Sequence, residues 1–231
     1  TLGAVEYQMP KTSDYCFLVG DPGTGTFPAR NAPCIAVIDA SRLPEYPAIV
    51  TAFWWGNGNR HIQPFIDKFY EYKDKYAPIF AGVDSTGPQA GMVQLMNLQG
   101  LWDGSFNARN TKEDSLAGRV GISGLDFSTT RKMNMLLSLR NLLELDLLHW
   151  ADFAKGVKMQ LYSYDPMLDR GGEPKIAQDI VATLAMGAFV IRAYYNIGSQ
   201  DEERTGSNLS SAREQALRNI REIASTRDFR R

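Results

Sequence analysis

The chain has 231 residues, 44% hydrophobic and 22% charged, which is ordinary globular composition and enough for one large domain with a proper core. With 25 Lys and Arg against 26 Asp and Glu, the net charge of −1 excludes a global attraction to nucleic acid, so a DNA partner needs a local basic patch. Two cysteines, Cys16 and Cys34, exclude a disulfide framework and any Cys-rich zinc site, and their strand contexts read as small buried thiols in a reducing, intracellular setting.

No charged-then-apolar leader opens the sequence, and residues 1–14 read as a lead-in without an element of their own. Residues 15–21 (YCFLVGD), 33–39 (PCIAVID) and 48–55 (AIVTAFWW) are strands: rich in Val, Ile, Phe and Trp, and bounded by Gly, Pro or Asn. The connections between them hold no helical pattern, so the three form an antiparallel meander. Residues 60–76 place Ile62, Phe65, Ile66, Phe69 and Tyr72 at spacings of three and four, an amphipathic helix that tolerates Pro64 in its first turn and ends at Pro78. IFAGVD (79–84) follows as a fourth strand. Strand, helix and strand in succession imply a right-handed parallel crossover, which returns the fourth strand beside the first.

Residues 86–99 read as a short helix behind a Gly/Pro turn. Residues 100–125 are polar and Gly-dotted, too long for a plain connection, and read as an excursion from the core, a hairpin being one form of it. GLDF (124–127) is a fifth short strand. Ser128 or Thr129 caps a long helix running to Trp150, with Met133, Leu136, Leu137, Arg140, Leu143, Leu147 and Leu148 along its apolar face. His149 sits near its C-terminus, where an imidazolium suits the helix dipole; His149 and His61 both read as structural. A polar loop (165–175) leads to a last helix from about Pro174 to Tyr195. The run Ile180 to Ile191 is the longest apolar one; it includes Thr183 and is too short to span a bilayer, so a soluble protein without a membrane partner is expected. The fold class is α/β with a mixed sheet.

Three aspartates stand out by position. Asp21 ends the first strand, Asp84 ends the fourth, and Asp179 lies in the first turns of the last helix. With strand four parallel to strand one, Asp21 and Asp84 share one end of the sheet with backbones about 5 Å apart. Carboxylates that close repel unless one is protonated or a cation intervenes. A third carboxylate from a helix packed on the sheet completes an oxygen-rich pocket suited to hard divalent ions, Mg²⁺ or Mn²⁺. Two such ions roughly 3.5–4 Å apart activate water and stabilise the leaving oxygen of a phosphodiester. Gly23, Gly25 and Gly87 leave room for a nucleic-acid backbone. A lone strand-end Asp is commonly a turn residue, and Asp39 is assigned to that class. GDPGTG lacks the Gly-Lys-Ser/Thr ending of a phosphate loop.

VGDPGTG (19–25), AGVDSTGPQAG (81–91), FSTTRKMNMLLSLRNLLELDLLHW (127–150) and PKIAQDIVATLAMGAF (174–189) stand in a definite order: an Asp strand, a second Asp strand followed by Gly, a Lys-bearing helix start, and an acidic motif opening an Ala-rich helix. In these motifs the chain, from about residue 13 to 196, resembles the nuclease domain of the large terminase subunit of tailed bacteriophages. The resemblance implies an RNase H-like fold over residues 15–196, with a mixed sheet of five or more strands in the order 3-2-1-4-5 flanked by helices. It implies an endonuclease that cuts concatemeric double-stranded DNA with two divalent ions, Mg²⁺ or Mn²⁺, in the cytoplasm of an infected bacterial host. Asp21, Asp84 and Asp179 take the metal-binding roles, with Asp21 bridging both ions. Lys132 becomes an auxiliary catalytic group near the scissile phosphate, and Arg109, Lys112, Arg119, Arg131 and Lys132 become DNA contacts. Gln178 stands where the family often has a further acidic residue or His, leaving Asp165 as a distant fourth candidate. The implied partners in the full-length protein are an ATPase domain, the small terminase subunit and the portal. No Gly-x-x-x-x-Gly-Lys-Ser/Thr loop occurs here, so these residues are read as the nuclease part without its motor. Residues 197–231 form a predominantly basic tail that docks DNA or portal, or is a solvated terminal helix. Alternatives on the same fold are a Holliday-junction resolvase or a transposase; one of a different class is a non-catalytic DNA or portal docking module.

Overall fold

A computed structural model of the chain describes residues 5–23, 32–56, 62–85, 91, 94–96, 122–125, 129–150, 179–195 and 197. Its elements are β1 (Val5–Gln8), β2 (Cys16–Asp21), β3 (Cys34–Asp39), β4 (Ala48–Trp55), α1 (Gln63–Tyr76), β5 (Phe80–Asp84), β6 (Ile122–Leu125), α2 (Thr129–Glu144), β7 (Leu148–Trp150) and α3 (Asp179–Tyr195). The strands form one mixed open sheet in the order β1-β4-β3-β2-β5-β6, with β7 also paired to β4. β2, β3 and β4 pair antiparallel, β5 lies parallel to β2, and β6 parallel to β5.

This order differs from the expected 3-2-1-4-5 because β1 and β7 join the sheet. β1 pairs antiparallel with residues 52–55 of β4, and β7 pairs parallel with residues 48–50. β3 occupies one edge of β4 along its length, so β1 and β7 share the other edge in succession. β1 lies inside the segment read as a bare lead-in.

The central strands are apolar on both sides, as strands covered on both faces must be. Phe17 and Val19 of β2, with Cys34, Ala36 and Ile38 of β3, face α2 and α3. Cys16 and Leu18 of β2, with Ile35 and Val37 of β3, face Phe65, Ile66, Phe69, Tyr72 and Tyr76 of α1. The result is three layers, helix on sheet on helices. Both cysteines are buried free thiols. Among the described residues no helix is long and apolar enough to cross a membrane.

Two glycines set the interlayer spacing. A Cβ on Gly20 would meet the Phe65 ring at 2.8 Å, and one on Gly187 would meet Ile38 Cδ1 at 2.5 Å. α3 thus lies close along β3, with Thr183 hydrogen-bonded to Cys34 near its start and the Tyr195 hydroxyl donating to the Ala40 carbonyl at its end, 2.8 Å.

The helix read as running to Trp150 ends at Glu144. Asp146 adopts a left-handed conformation, φ 55°. Its N–H reaches the Leu143 carbonyl at 3.1 Å and the Leu147 N–H reaches the Leu142 carbonyl at 2.7 Å. That pair of bonds is a Schellman stop, here built on Asp rather than Gly. His149 is therefore in β7, not at a helix end, and its Nε2 lies 2.7 Å from Asp146 Oδ1. The apolar face also differs from the expected one. Met135, Leu139 and Leu142 are buried, while Met133 and Leu137 are 41% and 39% exposed and Arg140 points to solvent. Leu136, Leu143 and Leu147 are only partly buried against the core. The packed positions still keep the three-and-four spacing, one stripe round from the expected one. The fifth strand lies at 122–125, two residues before its expected start.

α1 ends as Pro78 requires: Ala77 turns left-handed, φ 44°, and its N–H bonds to the Lys73 carbonyl at 3.0 Å. Within 86–99 only residues 91 and 94–96 are described, and they are helical. The excursion before Ile122, His61, the loop at 165–175 and the tail beyond Ile197 lie outside the described residues.

Candidate functional site

One rim of the sheet gathers the chemistry. Gly20 pairs with Val83 as the last parallel partners of β2 and β5, so Asp21 and Asp84 come next on adjoining strands, with backbones about 5 Å apart. Both lie at strand C-terminal ends, where open α/β sheets place their ligands. Alternation fixes the face. Phe17 and Val19 face α2 and α3, so Asp21 does too. Ala81 and Val83 face α1, so Asp84 takes the opposite side, the same as Asp21. Asp84 is only 7% exposed, and the ladder continues past it through the Ser85 N–H to the Leu125 carbonyl, 2.8 Å.

Asp21 also serves its turn. Its Oδ1 accepts the Gly23 N–H at 2.8 Å, and Gly23 has φ 67°, where a side chain would be strained. The turn reading of a strand-end Asp is thus part of what Asp21 does. Gly25 and Gly87 lie outside the described residues.

α2 brings Lys132 to the same place. Burial pushes its ammonium below the usual lysine range, while the charges of Asp21 and Asp84 pull it back up. A half-buried lysine under the influence of both carboxylates offsets their repulsion.

Asp179 opens α3 and is 3% exposed. Its carboxylate accepts the Trp55 indole N–H at 3.4 Å and the Ala32 backbone N–H. Burial nonetheless pushes its pKa up to about 7, because these donors do not make good the lost hydration. Thr183 Oγ1 donates to the Asp179 carbonyl at 2.8 Å and shares a hydrogen bond with Cys34. Cys34 pairs with Asp21 on one side and Trp55 on the other, and its thiol feels the charges of both Asp179 and Asp21. Burial holds that thiol well above its usual range, so it is a packed hydrophobe rather than a nucleophile.

The structure therefore brings Asp21, Asp84 and Lys132 together and sets Asp179 beside them, on the same face and across Cys34. Among the described residues, no three His, Cys, Asp or Glu side chains gather closely enough to hold a metal ion. The donors nonetheless have the chemistry of a hard-cation site: all are carboxylate oxygens, and one is an acid that burial holds well above the usual carboxylate range. Arg131 lies in α2 with its side chain outside the described set; Arg109, Lys112, Arg119, Asp165 and Gln178 lie wholly outside it. Trp55 and Ala32 went unread in the sequence, and Cys34 was read as the buried thiol it is but not as a neighbour of the aspartates. Strand alternation from Phe53 would have put Trp55 on the α3 face, but its meeting with Asp179 needs the register as well.

Asp39, read as a turn residue, is one. It accepts bonds from Ser13 Oγ at 2.7 Å, the Ser41 N–H at 2.9 Å and Thr12 Oγ1. No protein-family model matches the chain, and no curated protein is significantly similar to it.

Proposed function

We propose that this chain is the RNase H-like nuclease domain of a viral DNA-packaging terminase, a metal-dependent endonuclease acting on double-stranded DNA. The observation that carries the reading is the pair of aspartates ending adjacent parallel strands on one face, with a lysine and a third buried aspartate supplied by the helices on that face. Asp21, Asp84 and Asp179 would hold Mg²⁺ or Mn²⁺, which supplies an activated water and charge neutralisation at the phosphodiester.

The chain's own residues do the rest. The strand ends fix the Asp21 and Asp84 backbones against each other, so no loop motion is needed to bring the pair together. The Asx turn at Gly23 ties one oxygen of Asp21 to the backbone and so fixes how its carboxylate is turned. Lys132 holds positive charge at the carboxylate pair and is placed to meet a phosphate oxygen as negative charge builds there. Asp179, kept nearly dry, is a carboxylate whose charge is stabilised mainly by whatever cation reaches it.

Plasmid incubated with the protein and Mn²⁺, with EDTA as the control, tests this directly. Nicking should fall about 1,000-fold in Asp21→Asn and in Asp84→Asn. Nicking unchanged in both variants removes the proposal.

A further inference from the structure

Asp179 is held by more than its own helix. Trp55, 124 positions away in sequence, donates its indole N–H to Asp179 Oδ2. Indole nitrogen is a donor only, so it cannot ligate a cation; what it can do is fix where a carboxylate oxygen points. Its own position is unusually well determined. Trp55 ends β4 with its backbone registered against Cys34 on one side and Val5 on the other, and its side chain packs on the core beneath α2 and α3. The second donor to the same carboxylate, the Ala32 N–H, comes from the chain just ahead of β3. Two N–H groups from separate stretches of chain therefore converge on Asp179, which lies across Cys34 from Asp21.

We propose that Trp55 is a positioning residue of the candidate cation site: its indole N–H restricts the Asp179 carboxylate to the orientation from which it would reach a cation shared with Asp21 and Asp84. This rests on the metal-dependent nuclease reading. Partners that orient ligands in this way typically contribute 10–100-fold to metal affinity.

The test is Mn²⁺ binding by the 231-residue chain without DNA, followed by electron paramagnetic resonance of the free ion. The decisive variant carries benzothienylalanine at position 55, an isostere in which sulfur replaces the indole N–H and the ring volume is kept. Trp55→Phe is the second variant. Both should bind Mn²⁺ about tenfold more weakly than the parent, and in an Asp179→Asn background the isostere should cause no further loss. Parental affinity in the folded isostere overturns the assignment. So does an equal loss with and without Asp179, which would mean that Trp55 acts through packing alone. A parent that binds no Mn²⁺ overturns the metal reading and the positioning role together, whereas a parent that binds and an isostere that is unchanged overturn only the latter.

Discussion

Asp39 and Asp179 are both almost wholly buried, at 8% and 3% exposure, yet they sit at opposite rims of the sheet and titrate in opposite directions. Burial alone would raise Asp39, but bonds from Thr12, Ser41 and Ser13 outweigh it and hold the carboxyl below the usual carboxylate range. Burial does raise Asp179, to about 7, against the bonds from Ala32 and Trp55. The difference is one of donor supply. Three hydroxyls and a backbone N–H complete a charged carboxylate and make it a structural knot; a long indole bond and two amides do not. A carboxyl that burial raises this far marks a candidate functional site, in keeping with the cation role proposed for Asp179.

The largest test of that contrast is pH. Asp179 binds its proton more tightly folded, near 7, than unfolded, near 4, so its contribution to stability is lost as pH rises between those values. Asp39 runs the other way: its stabilisation is present above about pH 4 and fades as acid protonates it. Asp179→Asn should therefore be more stable than the parent at pH 8, by up to about 4 kcal/mol, with the gap closing towards pH 5. Urea melts at the two pH values measure it, and a pH-independent gap would mean that Asp179 is not the titrating group. Next in size is Lys132→Met, which should slow Mn²⁺-dependent nicking about 100-fold without weakening Mn²⁺ binding, since an ammonium opposes a cation and serves a phosphate. Weakened ion binding in that variant would instead give Lys132 a structural role. The smallest expected effect is Asp39→Ala, which strands the donors of Thr12, Ser13 and Ser41. It should cost about 1–3 kcal/mol in a denaturant melt and leave nicking per folded molecule as in the parent. Loss of nicking there would erase the distinction between the two rims.

The central strands were legible because their apolar runs are unbroken and bounded by turn residues, and the crossover rule alone placed β5 against β2. Asp21 and Asp84 were legible for the same reason: a carboxylate closing an apolar strand stands out. β1 and β7 were not, being four and three residues long, and β1 reads VEYQ with two polar residues. Between Met133 and Leu148 so many positions are apolar that several stripes satisfy helical spacing; only the fit against α3 and the sheet selects Met135, Leu139 and Leu142. The helix stop was hidden because a left-handed cap usually announces itself with Gly, and here Asp146 fills it. The Trp55 contact was invisible for a different reason: it depends on three strands being in register and on a helix over a hundred residues later.

The divided edge of β4 has a consequence for how the molecule comes apart. Its outer hydrogen-bonding groups are satisfied by two unrelated stretches of chain, one from near the N-terminus and one following α2. Either can peel away while the other still shields its half of the strand. A partial opening therefore bares only a few consecutive backbone groups, too short a template for a foreign strand to add on and start aggregation.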